Sequence, residues 1–136
     1  MKKKNIPHYK VSTRLGVSKI KGAGVGVIAI KDVKKGTLIF YGDEESKIVW
    51  IKEKEVQKLP PKIRKLYNDF GIFEKGKIGC PANFNQLTPS WYLNEDKKSP
   101  NVKCDKKYNF WALRDIKEGE ELFVNYDRYS DPIIFK

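Results

Sequence analysis

A glycine run that leads into a β-branched stretch limits this chain more than any other feature. Gly22-Ala-Gly24-Val-Gly26 is followed by Val27, Ile28 and Ile30, residues suited to a pleated, half-buried strand. A dinucleotide-binding turn would instead open a helix whose N-terminus receives the pyrophosphate. The third glycine of the GxGxxG spacing is also missing, so phosphate cradling is excluded. What remains is a turn that needs φ > 0 and feeds a strand. Such a turn lets backbone approach a ligand closely, with no Cβ between them.

The rest of the chain continues the β pattern. Alternating segments predict short strands at Tyr9–Thr13, Val25–Ile30, Thr37–Tyr41, Lys47–Ile51, Val102–Cys104, Asn109–Arg114 and Glu121–Asn125. Lys34-Lys35-Gly36 and Lys117-Glu118-Gly119 read as turns. They end two similar phrases, Ile-Lys-Asp-Val-Lys-Lys-Gly and Leu-Arg-Asp-Ile-Lys-Glu-Gly, each placing a strand, a charged turn and another strand. One helix starts at Pro61, with Ile63, Leu66, Tyr67 and Phe70 at helical spacing and Gly71 as its cap. Glu53–Leu59 suggests a short helical turn ended by Pro60, and a short strand falls near Lys77–Cys80. No low-complexity tract or Gly/Ser-rich linker divides the chain. The expected class is mainly β, with one or two short helices.

With 136 residues and 40% hydrophobic content, one domain with a modest core is expected. No apolar run approaches the roughly 20 residues of a membrane span. Met1-Lys-Lys-Lys lacks the apolar stretch of a secretory signal. Cys80 and Cys104 form no CxxC pair, so neither a metal site nor a disulfide framework is expected. Two free thiols fit a reducing, cytoplasmic setting. His8 is the single histidine, which leaves imidazole triads little to build on. The chain carries 28 Lys and Arg against 17 Asp and Glu, a formal charge of +11. That balance is compatible with nucleic-acid association but does not require it, because the basic residues are dispersed.

Two separated segments carry a family resemblance. The first is the Lys19–Tyr41 stretch. The second comprises Trp91-Tyr-Leu-Asn94, Ser99-Pro-Asn101 and Phe110-Trp-Ala-Leu-Arg-Asp-Ile-Lys-Glu-Gly-Glu-Glu-Leu-Phe-Val-Asn-Tyr126-Asp127. In this order they resemble a SET domain, the fold of many protein-lysine methyltransferases. The resemblance implies an extension over residues 1–7, the domain over 8–128, and a tail over 129–136 that closes the active site. It implies several small sheets and a threaded C-terminal segment. It also implies S-adenosylmethionine as cofactor and a protein or peptide lysine as substrate. Ala23, Gly24 and Val25 would contact the cofactor, with Gly26 allowing the approach. Asn94 would hold its amino-acid end, and the Glu95 main chain would meet adenine. Many family members have His where Glu95 stands, and this chain is one residue longer between Asn94 and Pro100-Asn101. The zinc-binding cysteine clusters of larger relatives are absent.

Lysine methylation requires an amine that has lost its proton, although an unperturbed lysine titrates near pH 10.4. It also requires in-line positioning and a passage that excludes water. Aromatic walls desolvate the amine and tolerate a cation. Tyr126 stands where SET domains place their catalytic tyrosine, and Tyr41 matches one that lines the lysine channel in some members. Tyr129 and Phe135 are further aromatic candidates for closing the channel or stacking on adenine. Val124 and Cys104 occupy positions that bias methyl number in the family, and neither is aromatic. The rival readings are a catalytically silent SET-like module that binds a peptide or partner, and a small basic nucleic-acid-binding domain. A homodimer is compatible with the sequence and not indicated by it.

Overall fold

The computed structural model describes residues 11–41 and 48–129. Among these, ten short strands form three small sheets. The first contains β1 (Thr13–Val17), β2 (Val25–Ala29), β10 (Glu121–Val124) and β7 (Asn94–Glu95), in the order β1-β2-β10-β7. β2 runs antiparallel to both neighbours, and β7 lies parallel to β10. The second has the order β3-β9-β8, from Leu38–Phe40, Phe110–Ala112 and Val102–Cys104. The third has the order β4-β6-β5, from Val49–Lys52, Lys77–Cys80 and Ile72–Glu74. Helices α1 (Glu53–Gln57) and α2 (Pro61–Phe70) connect β4 to β5.

Most strands lie where the alternation places them, and the exceptions have local causes. β1 begins at Thr13, where the expected Tyr9–Thr13 strand ends; Tyr9 and Lys10 lie outside the described residues. Gly16 hides β1 in the sequence, because glycine weakens a strand pattern. In the fold it sits opposite Gly26, and a Cβ there would lie 2.8 Å from Ile28 Cγ1. β5 and β7 are three and two residues long, too short for periodicity to reveal. α2 starts at Pro61 as expected, its missing N–H falling where a helix needs none. Gly71 ends it in an extended conformation (φ −70°, ψ 150°) instead of the left-handed one. Glycine is needed there for space: a Cβ would meet Ile78 Cγ2 and the Tyr67 carbonyl oxygen, each at 2.5 Å.

The main core gathers Val27 and Ala29 from β2, Leu122 and Val124 from β10, and Val102, Phe110 and Ala112 from the second sheet, with Leu93. Val56, Phe73 and Ile78 form a smaller core beneath the helices. α2 packs the half-buried rings of Tyr67 and Phe70 edge-on against Phe84 and Tyr92. Its Ile63 and Leu66 stay exposed.

The two similar strand–turn–strand phrases meet. Val33 and Ile116 exchange backbone hydrogen bonds of 2.7 and 2.8 Å. Asp115 accepts the Lys35 N–H at 2.8 Å, and Asp32 accepts the Glu118 N–H at 2.9 Å. The Gly36 N–H donates to Ala112 and the Gly119 N–H to Ala29, at 2.9 and 2.8 Å. Each phrase thus braces the other about a local pseudo-twofold axis. Both turn glycines have φ near +90° (85° and 90°), which other residues rarely adopt.

β10 is held on its far side by Asn101, 1% exposed. The Asn101 side chain donates Nδ2–H to the Glu121 carbonyl at 2.9 Å, and its Oδ1 accepts the Phe123 N–H at 2.7 Å. Its backbone N–H reaches the Phe123 carbonyl, and its carbonyl accepts from Leu113. One buried amide therefore does the pairing of a short strand and threads β10 between β2 and β7.

Candidate active site

The site assembles where the β1–β2 turn, β7 and the end of β10 converge. The turn spans Ser18 to Gly24 and is closed by the Ser18 N–H donating to the Gly24 carbonyl at 2.8 Å. Gly22 and Gly24 take φ of +84° and +77°, as the glycine run predicts. The space where a Gly24 Cβ would stand is open, with no atom within 4 Å. Ala23, Gly24 and Val25 are exposed. They offer main chain at a surface with room for a ligand.

Gly26 also makes room for a side chain. It is buried in β2, and a Cβ there would strike the Glu121 carboxylate. Glu121, only 2% exposed, tucks that carboxylate under the glycine turn. The Ser18 hydroxyl donates to it at 2.8 and 3.1 Å, and the Lys19 N–H at 2.7 Å. Asn94 Nδ2 donates to Glu121 Oε2 and to the Val25 carbonyl, each at 3.0 Å. Gly26 and Asn94 are marked in the sequence, whereas Ser18 and Glu121, which join them, are not. The available signal was Gly26 itself, since a glycine within a strand marks a close approach.

Glu95 neighbours Asn94 in β7, and its Oε2 accepts the Tyr126 N–H at 2.9 Å. The carboxylate that replaces the imidazole thus fixes the backbone of the candidate catalytic tyrosine. Asn125 Oδ1 accepts the Asp127 N–H at 3.0 Å and starts the helical turn Tyr126–Arg128. The longer loop after Glu95 closes on Asp96, whose Oδ1 accepts from the N–H groups of Lys98 and Ser99. Lys97 reaches back to Asp127 at 3.1 Å, which raises the Lys97 pKa.

The Tyr126 hydroxyl donates to the Leu93 carbonyl at 2.5 Å. The residue is 38% exposed, and the hydroxyl is its inward end. Burial, and secondarily the Glu95 charge, push its pKa up to about 12. Tyr126 is therefore a neutral phenol at physiological pH, whose oxygen keeps lone pairs to accept a further hydrogen bond. Tyr129 packs edge-on against it at 6.2 Å, Phe110 against Tyr129 at 5.8 Å, and Phe40 against Phe110 at 6.2 Å. Burial first, then its neighbours Tyr126, Cys104 and Glu95, raise the Tyr129 pKa well above the ordinary phenol value. Burial and then Asp105 push the Cys104 thiol up to about 12, so it is no ready nucleophile. Tyr41 follows Phe40 and is 51% exposed. Its ring makes none of the contacts of this aromatic row. Phe135 lies outside the described residues.

Three small sheets, a β10 segment held by an asparagine clamp between β2 and β7, and a tyrosine at its end are features of a SET fold. Residues 24–127 match the SET domain, and the chain belongs to that family. No curated protein matches it by sequence. Among solved structures it resembles the Chaetomium thermophilum Polycomb Repressive Complex 2 bound to the inhibitor GSK126. That likeness has a TM-score of 0.61 and 23% identity, covering 90% of this chain and 17% of the other. A humanized mutant of that complex with the same inhibitor gives a TM-score of 0.60 and 23% identity, covering 87% and 15%. A Plasmodium falciparum protein named as a candidate histone methyltransferase gives 0.56 and 19%, covering 86% and 94%. The chain thus spans about a sixth of the Polycomb chains (15% and 17%) but nearly all of the Plasmodium one.

Proposed function

We propose that this SET domain transfers a methyl group from S-adenosylmethionine to the ε-amine of a protein lysine. The observation that carries the reading is that the Leu93–Asn94 segment ties to both sides, Asn94 to the Val25 carbonyl beside the open Gly24 turn and Leu93 to the Tyr126 hydroxyl. Ala23, Gly24, Val25 and Gly26, with Asn94, the main chain of Glu95 and Tyr126, would hold the cofactor. The fit rests on the open space at Gly24 and on the Oδ1 of Asn94, which accepts no hydrogen bond from the described residues. When bound, S-adenosylmethionine supplies a methyl carbon on a positively charged sulfur.

The remaining work falls to the chain. Tyr126 spends its proton on Leu93, so its oxygen is left to accept an N–H of the substrate amine and aim the nitrogen. The Tyr126–Tyr129–Phe110 row forms an apolar wall that excludes water and favours the neutral amine. Tyr41 lines the outer approach for the lysine stem. Glu95 keeps Tyr126 in register, so a carboxylate at this position supports the site.

Calorimetric titration with S-adenosylmethionine, combined with transfer to a lysine-peptide array, tests the reading. The wild type is expected to bind and to methylate. Tyr126→Phe is expected to keep binding while transfer falls by about 10²-fold or more, as when one transition-state hydrogen bond is removed. Binding without transfer to any lysine would identify a silent peptide-binding module. Absence of binding, with and without peptide, overturns the proposal.

A further inference from the structure

We infer that Glu121 is a positioning residue that sets the direction of the Asn94 amide, and so makes the pocket select a ligand bearing a protonated amine. This rests on the methyltransferase reading above and deepens it. The group facing both the Val25 carbonyl and Glu121 Oε2 meets two acceptors, each at 3.0 Å, so it can only be the NH2 end of Asn94. Both amide hydrogens are then spent. Asn94 Oδ1 accepts nothing from the described residues and is left as a bare acceptor. A donor group is its natural complement.

The setting of Glu121 adds charge to that geometry. The carboxylate is buried, and its partners among the described residues are neutral: a hydroxyl, a backbone N–H and an amide. Among those residues no lysine or arginine pairs with it. A charge placed this way attracts a cationic group above the amide, and it is worth most where water is thin. Gly26 is the space that admits it. With glutamine at 121, the carboxamide oxygen answers the Lys19 N–H and its NH2 faces Asn94. Asn94 then meets a donor where it met an acceptor, and its preferred direction is lost.

The test compares S-adenosylhomocysteine with the same thioether lacking only its α-amino group, on wild type and Glu121→Gln. Wild type is expected to favour the amino-bearing ligand by about tenfold or more, as for a charge-assisted hydrogen bond. In Glu121→Gln the preference should shrink to within about threefold, mostly through loss of the amino-bearing ligand. A purely structural role would weaken both ligands alike and leave the ratio intact, which overturns the inference while the methyltransferase reading stands. Failure of wild type to bind either ligand overturns both. A wild-type measurement stands beside these should the variant not fold. The Asn94 side-chain amide hydrogens, followed by nitrogen-15 NMR, should exchange slowly before and after S-adenosylhomocysteine is added. Their release on binding overturns the inference.

Discussion

Tyr126 shows how much one residue's neighbours decide. In water its hydroxyl would titrate near 10, and here burial first and Glu95 second move it to about 12. The folded state therefore holds this proton more tightly than the unfolded chain does. The associated stability is complete below about pH 10 and is lost as pH rises from there towards 12. Denaturant midpoints should accordingly fall more steeply between pH 9 and 12 in wild type than in Tyr126→Phe, and a tyrosinate absorbance step near pH 12 should vanish in the variant. Identical pH dependence in the two proteins would exclude this account. Tyr126 and Asn94 enter the candidate site through the family resemblance, and Gly24 also through the glycine run that requires φ > 0. Glu121 was not legible in the sequence. It is one of 17 acidic residues, and nothing local to it reports that Gly26, far away in the chain, leaves room for its carboxylate.

β10 is the element on which the site depends. It meets β2 on one edge and β7 on the other, contributes Glu121 beneath the glycine turn, and delivers Tyr126. Asn101 lets it do so by supplying a donor and an acceptor to the same short stretch of backbone. Asn101→Ala leaves the Phe123 N–H and the Glu121 carbonyl without that partner, at about 1–3 kcal/mol for each group so exposed to burial. We expect a total loss of about 2–6 kcal/mol in urea unfolding, together with weaker ligand binding. A loss under about 0.5 kcal/mol, typical of an ordinary surface substitution, would show that water replaces the amide. β2 was readable from its alternation and α2 from its helical spacing and Pro61, although only Tyr67 and Phe70 of its four apolar positions pack against other rings. β7 was not readable, because two residues carry no period and its partner, β10, lies beside it only after threading.

For the whole molecule, three small sheets with modest cores depend on ties between distant parts of the chain. The reciprocal contacts of Asp32 and Asp115 are the clearest, spanning 86 and 80 residues of sequence. Asp32→Ala or Asp115→Ala should each cost about 0.5–1.5 kcal/mol, a drop of a few degrees in melting temperature. Because both serve one junction, the double variant should depart from additivity, and strict additivity would show the braces to be independent. The tie from Glu121 to Ser18 spans 103 residues. A ribosome adding about 5–20 residues per second needs about 5–20 s to cover that interval. Throughout it the nascent glycine turn exists without the carboxylate that anchors it, so a ligand cannot meet a finished binding turn until the strand carrying residue 121 has emerged.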